Sequence, residues 1–390
     1  MSRTHLLSSR VDPAHPAPGN RPTWAQIDLE AIAQNARTLC SLAPTAALMA
    51  VVKADGYGHG LVPTALAAVR GGAQWLAVAL IEEGRALREA GITVPILLLT
   101  EPPVVSVPDL IASGLTPTVY SPQYISVLDA AARGRGGAPL DVHLKLDTGM
   151  RRVGAPEADW HEVLTLLAHS DGLDVAGLWS HFACADEPGH PSIAAQSRSF
   201  RAGIDAARAH GLTPTVLHLC NSAGALTRPG DHFDLIRCGI AVYGLDPGNG
   251  LIGGLPLRPA LRWVSRVSLV KRVAPGEAVS YGHQWTAPRE TTVATVPAGY
   301  ADGVTRLLGG LGAVVAGGKR RPMVGRVCMD QFLFDAGDDE IAVDDEVVLL
   351  GTQDGVAVTA DDWASWLRTI NYEIVCTVGR RVPRVYTGQP

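Results

Sequence analysis

The chain has 390 residues, 47% hydrophobic and 18% charged, with 42 Gly and 27 Pro. That composition excludes a disordered or fibrous protein and leaves room for a barrel-sized domain plus a smaller one. The formal net charge of -5 removes any electrostatic reason to bind nucleic acid or an anionic membrane, so the expected partner is a small molecule. Cys40, Cys184, Cys220, Cys238, Cys328 and Cys376 are scattered singly, with no CxxC pair. Neither a disulfide framework nor a metal site is expected, and reduced thiols suit a cytoplasmic protein. No stretch is long and apolar enough to span a bilayer, and the N-terminus lacks the apolar core of a signal peptide.

Residues 1–22 carry four Pro and little apolar content and read as a mobile tail. Asp28 is a candidate N-cap for a helix with Ile32, Ala36 and Leu39 on one face. The run Ala47 to Val52 then reads as a strand buried on both faces, ending in Lys53 and the loop Ala54 to Gly60. An amine emerging where a buried strand becomes a loop suits covalent chemistry. Lysine forms Schiff bases with carbonyl compounds, and partial desolvation makes it a nucleophile or base near neutral pH. A lysine snorkelling to solvent is the structural alternative.

Further strand candidates follow at Trp75 to Leu80, Pro95 to Leu99, Pro117 to Tyr120, Leu140 to Leu146, Val175 to Trp179, Thr215 to Leu219 and Leu235 to Ile240. Helix-like stretches such as Glu82 to Ala90 lie between them. Eight βα units predict a (β/α)8 TIM-type barrel over residues 23–255, since no GxGxxG fingerprint follows the first strand to suggest a doubly wound sheet. Barrel active sites lie at the C-terminal ends of strands. The polar residues cluster there: Lys53, Lys145 to Arg152, Ser180-His181, His218 to Ser222, and Arg237 to Tyr243. Beyond Pro256 the pattern becomes β-rich (Trp263 to Val273, Val279 to Gly282, Val293 to Val296, Arg326 to Phe334, Val347 to Leu350). A mostly β C-terminal domain over residues 256–390 is predicted, with one helix at Thr359 to Ile370 whose Trp363, Trp366 and Leu367 serve core packing.

A Schiff-base lysine at a barrel mouth points to pyridoxal phosphate, which needs a phosphate cradle and a partner for its ring nitrogen. Asn221 to Gly224 and Cys238 to Ile240 offer small residues whose backbone N–H groups can approach a phosphate, in the loops where barrel phosphate sites are often built. Arg237, inside an apolar strand, needs a partner to offset its desolvation, and a buried carboxylate such as Asp234 is one candidate.

These motifs together resemble the alanine racemases. Ala50 to Gly60 (AVVKADGYGHG) looks like their pyridoxal-phosphate attachment signature. The likeness continues in family order through HLKLDTGMRRVG (143–154), SHFACAD (180–186), HLCNSAG (218–224), RCGIAVYG (237–244), SYGHQW (280–285), AGYADG (298–303), GRVCMDQ (325–331) and INYEIVC (370–376). The resemblance implies that Lys53 holds the cofactor as a Schiff base, and that Tyr57, Ser222, Gly239, Ile240 and Tyr372 bind its phosphate. It places His181 near the ring, Arg237 at the pyridine nitrogen with His218 orienting it, and Arg152 beside the phenolic oxygen and the substrate. Tyr281 becomes the second catalytic base, while Met329 and Tyr300 line the substrate entrance. Lys145 matches a lysine that is carbamylated in several members and fixes the arginine corresponding to Arg152. Cys238 and Gln284 stand where proline and threonine are frequent, and the Arg151-Arg152 doublet leaves open which arginine turns inward.

The implied reaction is interconversion of L- and D-alanine by two-base proton transfer, supplying D-alanine for peptidoglycan. It runs in a head-to-tail homodimer in which Tyr281 reaches the partner's site. A phenol ordinarily ionises near pH 10, so as a base at neutral pH it needs nearby positive charge or a hydrogen-bond chain. Competing readings are a racemase of serine or another small amino acid, a barrel-type decarboxylase, and a non-enzymatic pyridoxal-phosphate carrier. Arg237 speaks against the decarboxylase, which is expected to carry a carboxylate there, and the C-terminal domain speaks against the carrier.

Overall fold

The computed structural model describes residues 21–248 and 250–388. Apart from Arg21 and Pro22, the expected N-terminal tail lies outside the described residues. The chain forms two compact units, one of residues 29–258 and one combining the segment up to Asp28 with Pro259–Thr387.

The first unit is an eight-stranded parallel barrel. Its strands are Ala47–Val51, Trp75–Val78, Ile96–Leu98, Thr116–Val119, Leu140–Asp147, Leu173–Trp179, Val216–His218 and Leu235–Cys238. Seven neighbouring pairs are parallel, including Leu235–Cys238 with Ala47–Val51. The remaining seam is bridged by Asp234 N to Leu217 O (3.0 Å) and Arg237 N to Cys220 O (3.0 Å). All eight predicted strands are present, within a few residues of their expected bounds. Their continuous apolar runs follow from burial on both faces, with Leu48, Met49, Ala50, Leu76, Leu97 and Leu98 at most 1% exposed. Each of these leucine and methionine side chains contributes about 1.5–3 kcal/mol relative to exposure.

Register explains how polar groups enter this interior. Lys145 pairs with Trp179, and Trp179 with His218, so the three stand in line across adjacent strands. One pleat lower, His143 faces Gly177. A Cβ on Gly177 would meet the His143 ring at 2.5 Å, so glycine is what lets that imidazole lie across the strand.

The second unit is built on a ten-stranded, mostly antiparallel sheet. Trp24–Asp28 is one of its strands, antiparallel to Leu261–Arg266 and parallel to Arg384–Thr387. This corrects the expected assignment of everything from residue 23 to the barrel. The helix Leu29–Leu42 starts directly after Asp28 and buries Ile32, Ala36 and Leu39 as expected. The predicted strand Trp263 to Val273 is two, Leu261–Arg266 and Leu269–Val273. A hairpin of Ala313–Ala316 and Lys319–Val324 was not anticipated. Its turn, Gly317-Gly318, has φ of 59° and 69° at both residues, the conformation that favours Gly-Gly in two-residue hairpins. The expected C-terminal helix runs Ala360–Leu367, capped by Thr359 Oγ1 accepting from Asp362 N (3.0 Å). Trp363 packs on Trp263 with ring centroids 5.8 Å apart, the core role expected of it.

Candidate active site

Lys53 follows the strand Ala47–Val51 directly and is half-buried. The chain then turns the unusual way. Ala54 (φ 55°, ψ 52°), Asp55 (53°, 47°), Gly56 (60°, 45°) and Tyr57 (φ 51°) form a left-handed turn. That handedness costs about 1–2 kcal/mol for each non-glycine residue, so something must hold it. Gly56 N donates to Val52 O (2.9 Å), Gly58 N to Ala54 O (3.0 Å) and Gly60 N to Asp55 O (2.8 Å). Asp55 Oδ1 caps the next helix by accepting from Leu61 N (2.9 Å).

Arg237 is 3% exposed. It does not pair with Asp234, whose carboxylate accepts instead from Leu217 N (2.8 Å). Its Nη2 donates to Ser180 O (2.7 Å), Leu219 O (3.0 Å) and His181 Nδ1 (3.1 Å), and its Nη1 to His218 Nδ1 (3.0 Å). Neutral acceptors therefore replace the carboxylate, and burial lowers the guanidinium pKa to about 10. A guanidinium has only donors, so both imidazoles must accept at Nδ1 and carry their proton on Nε2. His218 Nε2 in turn donates to His143 Nδ1 (2.9 Å). Trp179 underlies the group, stacked on His218 at 5.5 Å with Lys145 Nζ 4.0 Å and the Arg237 guanidinium 4.7 Å from ring centroids.

Burial, reinforced by the charge of Arg237, holds His143 down to about 3 and His181 and His218 well below the ordinary histidine range. Their folded values lie below the unfolded one of 6.5. The stability they contribute is therefore complete above that pH and is lost as pH falls below it, at about 1.4 kcal/mol per pH unit for each histidine still neutral. Urea midpoints should decline steadily from about pH 7 to about pH 5; a flat profile there would contradict the assignment.

Lys145 is buried beside this group. Burial first, then the charges of Arg237, Arg152 and Lys53, lowers its amine to about 7. The same cations, Arg237, Lys145, Arg152 and Lys53, all act on His181. Both arginines of the doublet are exposed, and Arg151 takes a left-handed φ of 59°. Asp147 Oδ1 orders this loop by accepting from Gly149 N (2.9 Å) and Arg151 N (3.1 Å).

The small-residue loops meet at Tyr57. Ser222 Oγ accepts from Gly239 N (3.0 Å) and Ala241 N (3.5 Å), with Ile240 buried between. A Cβ on Gly239 would lie 2.3 Å from Tyr57 Oη, and the Tyr57 ring is packed on Tyr243 at 4.9 Å. The cradle therefore tolerates no side chain at 239. Gly239→Ala, at a φ of -101° and ψ of -94° outside the usual regions for an L side chain, should weaken affinity for the pyridoxal phosphate expected there roughly tenfold to hundredfold by titration. Unchanged affinity would remove this cradle from consideration.

In the β-rich unit, Tyr281 is 71% exposed and follows Ser280, whose φ of 64° and ψ of -180° fall in a region almost reserved for glycine. Ser280 Oγ holds that conformation by donating to Arg326 O (2.7 Å). Tyr281, Tyr300, Arg306, Cys328 and Met329 line one open cleft of about 620 Å³. Tyr372 lies on the helix Asn371–Cys376 of the same unit.

His143, Trp179 and Gly177 were not singled out from sequence. The alternation in His143-Leu144-Lys145-Leu146 was the available signal, since it puts His143 on the same inward face as Lys145.

An eight-stranded parallel barrel with a lysine at a strand end, followed by a turn that packs on a loop with no room for a side chain at Gly239, has the architecture of a barrel enzyme acting on small molecules. The family models "Alanine racemase, N-terminal domain" and "Alanine racemase, C-terminal domain" match residues 27–247 and 260–386. The chain is 49% identical to an alanine racemase of Frankia casuarinae, over 95% of this chain and 98% of that one. Its fold is similar to the crystal structure of alanine racemase from D-cycloserine-producing Streptomyces lavendulae (TM-score 0.91, 44% identity, 96% of this chain and 99% of the other). It is also similar to alanine racemase from Bacillus anthracis with bound L-Ala-P (TM-score 0.89, 36% identity, 95% and 96%). The chain belongs to the alanine racemase family. Among the described residues no helix is long and apolar enough to cross a membrane.

Proposed function

We propose that this protein interconverts L-alanine and D-alanine with pyridoxal phosphate held at Lys53, and so supplies D-alanine for peptidoglycan. The observation that carries the cofactor assignment is Lys53 at the end of the strand Ala47–Val51, on the turn whose Tyr57 Oη would lie 2.3 Å from a Cβ on Gly239. The amine can form an imine with an aldehyde, and a cradle with no room for a side chain at Gly239 suits the phosphate of pyridoxal phosphate.

Tyr57, Ser222, Gly239, Ile240 and Tyr372 would hold the phosphate, Arg152 the phenolic oxygen and the substrate carboxylate, and Arg237 the ring nitrogen. The bound cofactor makes the Cα proton of the amino acid acidic. Lys53 Nζ takes or returns that proton on one face, and Tyr281 Oη does so on the other. Arg237 offers only donors, so a ring nitrogen facing it would stay unprotonated, which would limit how far negative charge leaves Cα. Lys145, with a pKa near 7, exposes a neutral amine to carbon dioxide, and the carbamate so formed would give Arg152 an anionic partner. Tyr281 would reach the site of the partner subunit in a head-to-tail homodimer, with Tyr300 and Met329 at the entrance.

Incubation with L-alanine in deuterated water tests the reading. Loss of optical rotation with Cα deuteration and no carbon dioxide is expected. Carbon dioxide release would indicate a decarboxylase, retained rotation without exchange a carrier, and faster racemisation of L-serine a different substrate.

A further inference from the structure

The left-handed turn after Lys53 is held from outside its own βα unit. Glu83, in the first turn of the helix Ile81–Glu89, accepts from Ala54 N through Oε1 (2.6 Å). Through Oε2 it accepts from Ala79 N (2.9 Å) and Leu80 N (3.1 Å). One carboxylate thus ties the loop after the strand Ala47–Val51 to the loop after Trp75–Val78. The amide it takes from the first loop belongs to the residue directly following Lys53. Bonds to an ionised acceptor are roughly twice as strong as neutral ones, and this one meets the backbone where the chain first adopts left-handed geometry.

We propose that Glu83 is a positioning residue, clamping the left-handed turn so that the Lys53 amine emerges at a fixed point of the barrel rim. The functional half of this inference rests on the reading of Lys53 as the imine-forming base. A merely capping role would stabilise the helix Ile81–Glu89 and leave Lys53 indifferent. The clamp instead couples that carboxylate to the chemistry, because a proton acceptor displaced by even an ångström loses much of its rate.

The test compares the holoenzyme with Glu83→Ala, Glu83→Gln and, as a control, Glu82→Gln at an exposed neighbour in the same helical turn. Amide hydrogen exchange by mass spectrometry should accelerate about tenfold or more across residues 54–57 in Glu83→Ala. Glu83→Gln, which keeps a carbonyl acceptor, should fall between, and Glu82→Gln should match the wild type. The kcat should drop roughly tenfold while KM for alanine stays within about threefold, with a shifted visible absorption of the Lys53 imine. Unchanged exchange at 54–57, equal acceleration throughout the barrel, or the same response in Glu82→Gln would overturn the clamp. Borohydride reduction of the wild type separates the two claims: label on Lys53 supports its role. Its absence overturns that role and leaves exchange to decide the clamp.

Discussion

Replacing Tyr281 with Phe should reduce Cα proton removal from L-alanine by roughly two to four orders of magnitude, the usual contribution of a positioned acid or base. Exchange of the D-alanine proton by Lys53 should persist. The asymmetry matters more than the loss, because a general disturbance of the site would slow both enantiomers together. The backbone favours a clean result. Ser280 is already held in its strained conformation through its own hydroxyl and Arg326 O, so the missing phenolic oxygen leaves the turn intact. Deuterium incorporation from each enantiomer, measured before any inversion, is the readout. Equal exchange rates in the variant would exclude Tyr281 as one of two opposed proton carriers.

Replacing Arg237 with Glu should be the most damaging change in the barrel. The guanidinium satisfies two carbonyl oxygens, Ser180 O and Leu219 O, together with Nδ1 of His181 and of His218. A carboxylate in that position would confront acceptors with acceptors and leave a buried charge unpaired, at a cost of about 3–5 kcal/mol. The urea midpoint should fall accordingly. In the folded fraction, a carboxylate would let the ring nitrogen of the proposed cofactor keep a proton, so transamination, read as pyruvate formed in a single turnover, should rise. Undiminished stability would refute the hydrogen-bond assignment, and unchanged pyruvate the role of Arg237 in restraining side reactions.

Much of this was legible in the chain itself. The continuous apolar runs from Ala47 to Cys238 announce a parallel sheet because strands covered on both faces have no polar side to alternate. The position of Lys53, Lys145, His181, His218 and Arg237 at strand ends follows from the same pattern. Trp24–Asp28 was misplaced because a short apolar strand carries no mark of which sheet it will join. Its partners, Leu261–Arg266 and Arg384–Thr387, lie more than 200 residues away in sequence. The Gly317-Gly318 hairpin was a missed local signal.

Residue types and their spacing along each strand determine which side chains face the barrel interior, since pleating alternates them whatever the partner strand. That is how the sequence by itself determined the barrel, the lysine at its rim and the family. Which neutral groups satisfy Arg237, which tautomers His181 and His218 adopt, and how Glu83 holds the turn after Lys53 were decided only by tertiary structure. Each depends on inter-strand register and loop handedness. These place atoms from distant segments within 3 Å or so of one another, and no local propensity encodes that distance.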